Sequence, residues 1–333
     1  MTSVNVAVDF ADALGEVAQR ALHDNGRVEK LVRLSGGASA ETWRFEWHGS
    51  QQILPCILRR SAVAGRDQFS TSITKSTEAQ LQRLARQQDV PAPRILFELQ
   101  DSDGLGDGYV MEQVPGETLA PKILSEPRLE QARALLTAQC GSILAGIHRI
   151  DIANVKNLLS DQSALPQLQQ LEALYRSFEQ PQPVFEFGLR WLRENAPPPV
   201  PLALVHGDFR NGNFVVDETG MAAVLDWELS HLGDPAEDLG WLCVRSWRFG
   251  KPEKEVGGFG DLAELLRAYA QAGGTPIDPQ RVRYWQAFGT LRWGIICLFQ
   301  VFSHLRGHQQ SVELAAIGRR VSETEFDFLE LIR

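Results

Sequence analysis

The sequence predicts an α+β fold with two domains: a small N-terminal domain built on a five-stranded antiparallel sheet with one helix, and a larger, mostly helical C-terminal domain. The chain has 333 residues, more than the roughly 250–300 at which a single hydrophobic core stops growing. Strand-like patterns are concentrated before residue 114, whereas long helical patterns dominate after it. We therefore predict an N-terminal domain over residues 1–113 and a C-terminal domain over residues 114–333.

The N-terminal domain alternates between helical and strand patterns. Residues 9–23 and 74–88 carry apolar side chains at helical spacing. The predicted strands cover 28–34, 42–47, 53–59, 94–99 and 109–113. In the second of them, Trp43, Phe45 and Trp47 recur at the period of two that places side chains on one face of a sheet.

The C-terminal domain is predicted to be helical on both sides of one hairpin. The helical patterns cover 128–150, 165–178, 185–195, 236–247, 262–272, 282–305 and 312–332. Between the third and fourth of these patterns, a strand and a hairpin occupy residues 204–227. The C-terminal domain therefore presents one non-helical segment within a helical framework.

Composition and charge exclude several classes of protein. The hydrophobic and charged fractions, 44% and 23%, are typical of a globular protein. A formal net charge of −9 argues against general binding to nucleic acid or to anionic membranes. The four cysteines stand apart, as buried thiols in a reducing compartment would, and no secretion signal or membrane-spanning run is present. These features predict a cytoplasmic location.

Residues 204–227 are the most informative for function. They read LVHGDFRNGNFVVDETGMAAVLDW, in which a strand is followed by Asp208, Asn213 and Asp226. One carboxylate can orient and deprotonate a hydroxyl, while an amide oxygen and a second carboxylate can hold Mg²⁺ against phosphate groups. A hairpin with its turn at 217–220 would bring the two metal ligands together. The motif predicts phosphoryl transfer to a hydroxyl, with Asp208 as the base and Asn213 and Asp226 as metal ligands.

Further segments extend this pattern along nearly the whole chain. They are LSGGAS, the strand ILRR, Glu78, YVMEQVPGETL, HGDFRNGN, LDWE and GDPAEDLGW. On these segments the chain resembles the aminoglycoside phosphotransferase and choline kinase-like superfamily of small-molecule kinases. Within that superfamily, it is similar to the kinase-like proteins related to domains fused to some acyl-CoA dehydrogenases. The resemblance implies a bilobal protein-kinase-like fold, with ATP (or GTP) and Mg²⁺ as cofactors.

The resemblance assigns nucleotide contacts to the N-terminal domain. The expected residues are Ser35, Gly36, Gly37, Ala38, Ser39, Ile57, Arg59, Glu78, Glu112 and Val114. Backbone N–H groups of the glycine-containing loop can approach phosphate closely. Arg59 replaces the lysine that such kinases usually carry on the third strand, and Glu78 would hold it in place unless Glu78 is an ordinary surface residue. Ile57 would line the purine pocket, and the segment around Glu112 and Val114 would offer backbone groups to the purine.

Three residues are expected to support the catalytic loop. His206 would hold the loop by hydrogen bonds rather than carry protons. Asp234 and Asp238 stand at the start of a predicted helix, where carboxylates are favoured by the helix dipole. By the resemblance, Asp238 (or Asp234) supports the loop through its backbone amides. For Glu228, a contact to metal or substrate and a structural role both stay open.

The acceptor prediction rests on the residues that follow the Asp238 helix. They combine basic and aromatic side chains: Arg245, Arg248, Lys251, Lys254, Trp241, Trp247 and, later in the chain, Trp293. This mixture favours a neutral or anionic hydroxylated substrate over a polycationic aminoglycoside, and the resemblance adds a hydroxyacyl-CoA as one such substrate. The alternatives are an amino alcohol held by an aromatic cage, or tryptophans that belong to the core with solvated cations around them.

These expectations define the predicted function and its main alternative. The chain is expected to be a phosphotransferase with an alcohol group as acceptor, binding nucleotide and a small-molecule hydroxyl substrate as a monomer or homodimer. The alternative is a catalytically silent kinase-like protein that binds nucleotide for regulation. The arginine in place of the usual lysine supports this alternative, whereas the intact Asp208, Asn213 and Asp226 oppose it.

Overall fold

A five-stranded antiparallel sheet begins the structure, with the strand order β1-β2-β3-β5-β4. Its strands are β1 (Arg27–Leu34), β2 (Ala40–His48), β3 (Ile53–Ser61), β4 (Ile95–Glu98) and β5 (Gly108–Glu112). The computed structural model describes residues 2–34, 40–61, 72–308 and 311–333. The expected phosphate loop, Ser35–Ser39, lies outside the described residues. The sheet itself is the predicted one.

Two helices cover the opposite faces of this sheet. They are α1 (Thr2–Leu22) and α2 (Lys75–Arg86). Leu14 of α1 belongs to one buried cluster with Leu58 of β3, whereas Ala79 of α2 belongs to another with Tyr109 and the partly buried Ile57. Because side chains alternate along a strand, Arg59 shares the face of Ile57 and points toward α2. The core of the sheet thus determines which charged residue of β3 meets which helix.

Most of the remaining chain is helical. The helices are α3 (Ala120–Ser125), α4 (Glu130–His148), α5 (Ala164–Arg176), α6 (Pro183–Glu194), α7 (Ala236–Leu242), α8 (Leu262–Gln271), α9 (Pro279–Leu305), α10 (Val312–Ile317) and α11 (Val321–Ile332). Four short strands accompany them: β6 (Ala203–Val205), β7 (Phe214–Asp217), β8 (Gly220–Val224) and β9 (His231–Gly233). β6 pairs antiparallel with β9, and β7 pairs with β8.

Element boundaries differ from the predicted ones at several places. The helix predicted over 312–332 is divided, because a 3₁₀ turn at Gly318–Arg320 separates α10 from α11. The helix predicted over 236–247 ends at Leu242, and a 3₁₀ turn at Arg245–Arg248 follows it. β9 was not predicted, since its three residues are too few to show a period.

By packing, the chain divides into two compact units. Unit 1 contains Met1–Gly116 together with Ala222–Leu229, and unit 2 contains Glu117–Met221 together with Ser230–Arg333. The end of β8 and the five residues that follow it therefore belong with the sheet. In the parts of the chain that the structure describes, no helix combines the length and the apolar character required to span a membrane.

Candidate active site

In unit 2, the loop that follows β6 carries Asp208. Asn213 Nδ2 donates to Asp208 Oδ2 at 2.6 Å, while Arg210 Nε and Trp241 Nε1 donate to Asp208 Oδ1 at 3.0 and 2.8 Å. Gly207 precedes Asp208 with a φ of 80°, a left-handed conformation that glycine adopts without steric cost. The Asp208 carboxylate is therefore held from three sides by side-chain donors, which fixes its orientation.

Asp238 of α7 binds the backbone of the same loop. Its carboxylate accepts hydrogen bonds from the backbone N–H groups of His206 and Gly207 at 2.8 and 2.9 Å. His148 Nε2 lies 3.1 Å from Asp238 Oδ2, and Tyr269 Oη lies 2.9 Å from His148 Nδ1. Burial alone would raise the pKa of Asp238, but the hydrogen bond and charge of His148 and the loop amides hold it below its usual value.

Asp234 and His206 make different contacts from Asp238. Asp234 Oδ2 accepts from Arg281 Nε and Trp285 Nε1, each at 2.7 Å, and Asp234 Oδ1 accepts from the backbone N–H of Ala236 at 3.0 Å. Asp234 thus connects the start of α7 to α9. His206 Nδ1 accepts from the backbone N–H of Asp208 at 3.2 Å. The contacts of Asp234 order the start of α7, and the contact of His206 orders the loop that carries Asp208.

In unit 1, Arg59 lies in a cluster of acidic side chains. Its Nη2 is 2.7 Å from Asp226 Oδ1 and 3.5 Å from Glu228 Oε2, and its Nε is 3.6 Å from Glu78 Oε2. Burial alone would lower the pKa of Arg59, but the negative charge of Asp226 and of its other acidic neighbours raises it well above its usual value. Arg59 and Glu78, which the resemblance pairs, are therefore close together, and Glu228 joins them.

A lysine that the sequence analysis missed completes this cluster. Lys75, the first residue of α2, pairs with Glu78 Oε1 and lies 3.3 Å from Glu228 Oε2. Tyr109 Oη donates to Glu78 Oε2 at 3.0 Å, and burial raises the pKa of Glu78. The signal in the sequence was the spacing of three residues between Lys75 and Glu78, which also describes many solvated helix pairs.

Asp226 has a backbone conformation that is unusual for aspartate. Its φ is 66°, in the left-handed region where residues other than glycine are uncommon. Such positions persist where surrounding contacts over-determine them, and they cluster at functional sites. The salt bridge to Arg59 is one such contact.

The remaining nucleotide residues fall in the sheet and just beyond it. Ile57 packs with Tyr109 and Met111 on the α2 face. The N–H of Glu112 donates to Arg94 O at 3.0 Å, so that group is engaged within the sheet. Val114, half-buried, is the second backbone position after β5. The contribution of Glu112 and Val114 to a purine site stays a prediction.

The oxygen chemistry of Asn213 and Asp226 fits a hard divalent cation. Asn213 Nδ2 donates to the side chain of Asp208 and also to its backbone O at 2.9 Å, which leaves Oδ1 as the amide atom that can coordinate a metal. Asp226 contributes a carboxylate that is partly exposed. Amide and carboxylate oxygens are the ligands that Mg²⁺ prefers in proteins.

Aromatic and guanidinium groups surround the Asp208 loop. Trp241 and Trp247 have ring centroids 5.2 Å apart, and Trp247 and Trp293 have centroids 4.8 Å apart. The guanidinium of Arg210 lies 4.5 Å from the ring centroid of Trp247, and that of Arg292 lies 5.1 Å from the centroid of Trp241. The sequence analysis identified these tryptophans but missed both arginines, because only the fold brings them to the loop.

Three of the four basic residues that the sequence places near the acceptor have protein partners of their own. Arg245 pairs with Asp327 at 3.3 Å, Arg248 donates to the backbone O atoms of Cys243 and Pro252, and Lys254 pairs with Asp261 at 3.5 Å. A cavity of about 540 Å³ is lined partly by Arg245, Arg248, Arg320, Glu323 and Asp327. Its three cations stand beside two carboxylates, so the positive charge of this cavity is largely balanced.

Comparison with known proteins agrees with the geometry. Residues 30–285 match the model of the APH family, the phosphotransferase enzyme family. The chain is 34% identical over 328 residues to mouse acyl-CoA dehydrogenase family member 10, an alignment that covers 92% of this chain and 30% of that protein. The chain spans between 30% and 39% of the length of the first two curated relatives that it matches.

Solved structures show the same fold. A candidate aminoglycoside phosphotransferase from Ralstonia eutropha JMP134 has a TM-score of 0.71 at 21% identity, covering 96% of this chain and 97% of that one. A spectinomycin phosphotransferase, solved with ADP and spectinomycin, has a TM-score of 0.63 at 14% identity, covering 96% and 98%. The predicted α+β, protein-kinase-like fold class and the resemblance are confirmed. The chain therefore belongs to the phosphotransferase enzyme family, whose members are small-molecule kinases that transfer phosphate to hydroxyl groups.

Proposed function

We propose that this chain transfers the γ-phosphoryl group of ATP, or of GTP, to a hydroxyl of a neutral or anionic small molecule, with hydroxyacyl-CoA as the leading class of acceptor. The observation that carries the proposal is the Asp208 carboxylate, oriented by Asn213, Arg210 and Trp241 in a loop whose backbone is bound by Asp238. A carboxylate fixed in this way is suited to accept a proton from a hydroxyl.

In the proposed step, Asp208 acts as the base. The acceptor oxygen forms a bond to the γ-phosphorus, the bond from that phosphorus to the β-phosphate oxygen breaks, and the hydroxyl proton passes to Asp208. Mg²⁺, when bound by oxygens of Asn213 and Asp226, supplies the positive charge that neutralises phosphate oxygens. Most of the rate comes from holding the groups in place, since phosphoryl transfer requires little covalent chemistry from the protein.

Arg59 is proposed to bind the α- and β-phosphates in place of the usual lysine. A guanidinium carries five N–H donors in a planar fork that matches phosphate oxygens. Asp226 and Glu228 both lie near Nη2, so with respect to the described residues the Nη1 side of the fork keeps donors for phosphate. The ADP bound to the structurally similar spectinomycin phosphotransferase supports a nucleotide cofactor.

The charge around Asp208 supports a neutral or anionic acceptor. Arg210 Nε lies 3.0 Å from the Asp208 carboxylate, and Arg292 Nη1 lies 3.5 Å from the backbone O of Gly207. These guanidinium groups pair with Asp208 and Glu237, so the surroundings of the base lack the excess negative charge that a polycationic aminoglycoside would need, and a neutral or anionic acceptor is favoured. The name of the mouse relative, an acyl-CoA dehydrogenase family member, supports an acyl thioester within this class.

A panel of acceptors tests the proposal. ADP release and phosphomonoester formation are measured with MgATP and MgGTP, using hydroxyacyl-CoAs, choline, ethanolamine and aminoglycosides. Each hydroxyacyl-CoA is matched with the acyl-CoA that lacks the hydroxyl. We expect turnover with hydroxyacyl-CoA and none with its matched control. Turnover only with amino alcohols or aminoglycosides would contradict the acceptor class.

A second function is favoured by one observation, the salt bridge of Arg59 to Asp226. In a catalytically silent protein, this bridge would occupy both the phosphate-binding cation and a metal ligand. Nucleotide binding without phosphoryl transfer to any acceptor of the panel would favour this regulatory function. Formation of any phosphomonoester that depends on Asp208 would exclude it.

A further inference from the structure

Lys75 is buried to a degree that is unusual for a lysine. Its side chain is 4% exposed, although Lys75 begins α2, where a long side chain could easily reach solvent. Lysines are almost never fully buried unless they are paired. Here the ammonium contacts two carboxylates, those of Glu78 and Glu228. The formation of α2 does not require this burial, so the two carboxylates are what hold the Lys75 ammonium inside unit 1.

The contacts of Glu78 show what Lys75 neutralises. The side chain of Glu78 is fully buried, its Oε1 pairs with Lys75, and its Oε2 accepts from Tyr109 Oη. Arg59 Nε is 3.6 Å from Oε2, which exceeds hydrogen-bond distance. Among the described residues, this Nε has no hydrogen-bond partner. Glu78 therefore takes its hydrogen bonds from Lys75 and Tyr109, whereas Arg59 neutralises part of its charge without a hydrogen bond.

Arg59 consequently extends past Glu78. Its shortest ion pair is between Nη2 and Asp226, at 2.7 Å. In kinases with a single strand lysine, one ammonium both pairs with the helix glutamate and contacts phosphate. Among the residues that the structure describes, two cations, Arg59 and Lys75, share three carboxylates, those of Glu78, Asp226 and Glu228.

We propose that Lys75 and Arg59 divide the work of the missing strand lysine: Lys75 pairs with Glu78, so that Arg59 is directed toward the nucleotide phosphates. This inference rests on the proposed nucleotide-dependent phosphoryl transfer. Lys75 is a positioning residue and acts through Glu78 and Arg59. Without its ammonium, the buried Glu78 carboxylate takes Arg59 as its partner and draws the guanidinium away from phosphate.

Nucleotide-binding measurements on four forms of the chain test this division of work. Dissociation constants of ADP and of adenosine are measured by calorimetry for the wild type, Lys75→Met, Glu78→Gln and the double variant. We expect Lys75→Met to weaken ADP binding about tenfold. Adenosine binding stays unchanged, because adenosine has no phosphate for Arg59 to contact. A merely structural role would weaken both ligands together.

The double variant identifies the route of the effect. If Lys75 acts through Glu78, removing both charges restores ADP affinity to within about threefold of the wild type. A neutral buried pair does not attract the Arg59 guanidinium away from phosphate. If Lys75→Met fails to fold, the ADP affinities of Glu78→Gln and the double variant are compared instead. An ADP affinity tenfold lower in the double variant than in Glu78→Gln would overturn the inference.

A matched control removes a lysine outside the cluster. Lys122→Met also deletes an ammonium near a glutamate, Glu117 at 3.6 Å, but this lysine is largely exposed. We expect its ADP affinity to equal that of the wild type. Equal ADP affinity of the Lys75→Met variant and the wild type overturns the inference and leaves the proposed function intact. Absence of nucleotide binding in the wild type overturns both.

Discussion

Asp208 owes its orientation to side chains that are distant in sequence as well as to its neighbours. The spacing of Asp208 and Asn213 could be recognised from the sequence, because both lie in one short loop. Trp241, 33 residues away, could not be assigned as a donor to Asp208, because only the packing of α7 brings its indole to 2.8 Å. The donors to Asp208 thus include a neighbour in the sequence, Asn213, and a distant residue, Trp241. Sequence spacing reveals only the neighbour.

Asp238 leads to a prediction about acid stability. The folded protein holds the pKa of Asp238 below the unfolded value of 3.8. Its ionisation therefore contributes stability above that value, and this contribution is lost as pH falls through the lower folded pKa. We expect Asp238→Asn to be less stable than the wild type at pH 7 and to lose less stability on acidification below pH 4. Urea unfolding at several pH values measures both effects.

The control for this experiment is Glu218→Gln, which removes an exposed carboxylate in the hairpin turn. This variant should follow the pH profile of the wild type. An equal loss of stability on acidification in the wild type and in Asp238→Asn would contradict the role assigned to the Asp238 carboxylate.

At the scale of elements, β3 places two consecutive arginines, Arg59 and Arg60, on opposite faces of the sheet. Arg59 points toward α2, and its guanidinium binds Asp226, whereas Arg60 pairs with Glu41 and stacks on Phe10 at 4.3 Å. The two-residue period of a strand made this separation predictable from the sequence. The acidic partners of Arg59 were only partly predictable, because Asp226 and Glu228 reach it only through the fold.

This separation yields a matched pair of variants. Arg59→Gln should weaken ADP binding about tenfold or more, since a charge-assisted hydrogen bond contributes about 1.5–3 kcal/mol. Arg60→Gln, on the opposite face, should leave ADP affinity unchanged. Calorimetric titration of both variants measures the difference. Similar losses in the two variants would indicate a general effect on the sheet rather than a phosphate contact.

The contact between α7 and α9 depends on a glycine. A Cβ on Gly240 would lie 2.6 Å from Trp285 Cβ and 2.7 Å from the backbone N of Gln286. Because both helices are buried there, Gly240→Ala should destabilise the protein by about 1–3 kcal/mol. Gly15→Ala in α1 is the control, since a Cβ there meets nothing within 4 Å. Chemical denaturation measures both, and equal stability of the two variants would contradict the close packing.

For the whole molecule, composition and pattern predicted the fold class and the sheet, but not every assignment of chain to unit. The segment Ala222–Leu229 joins unit 1 although the chain on both sides of it belongs to unit 2. Periodicity describes neighbours along the chain, whereas this grouping follows from tertiary contacts such as that between Ile73 N and Glu228 O. The acidic composition, with a net charge of −9, is consistent with a small-molecule kinase rather than a nucleic-acid-binding protein.

Nucleotide binding should stabilise the whole protein in a metal-dependent manner. At a concentration 100 times its dissociation constant, a ligand that binds only the folded state contributes about 2.7 kcal/mol. We therefore expect MgATP to raise the melting temperature and EDTA to cancel most of this increase. Calorimetric scans with ATP, ATP plus Mg²⁺, and Mg²⁺ alone distinguish the contributions. An increase that EDTA leaves unchanged would contradict the roles proposed for Asn213 and Asp226.

The most direct test of the proposed chemistry is phosphomonoester formation by the wild type, Asp208→Asn and the surface variant Glu218→Gln with MgATP and a hydroxyacyl-CoA. We predict that Asp208→Asn lowers kcat by about 10²–10⁴-fold, keeps its affinity for ADP and retains the fold. Glu218→Gln should turn over like the wild type. Undiminished phosphoryl transfer by Asp208→Asn would contradict the assignment of Asp208 as the catalytic base.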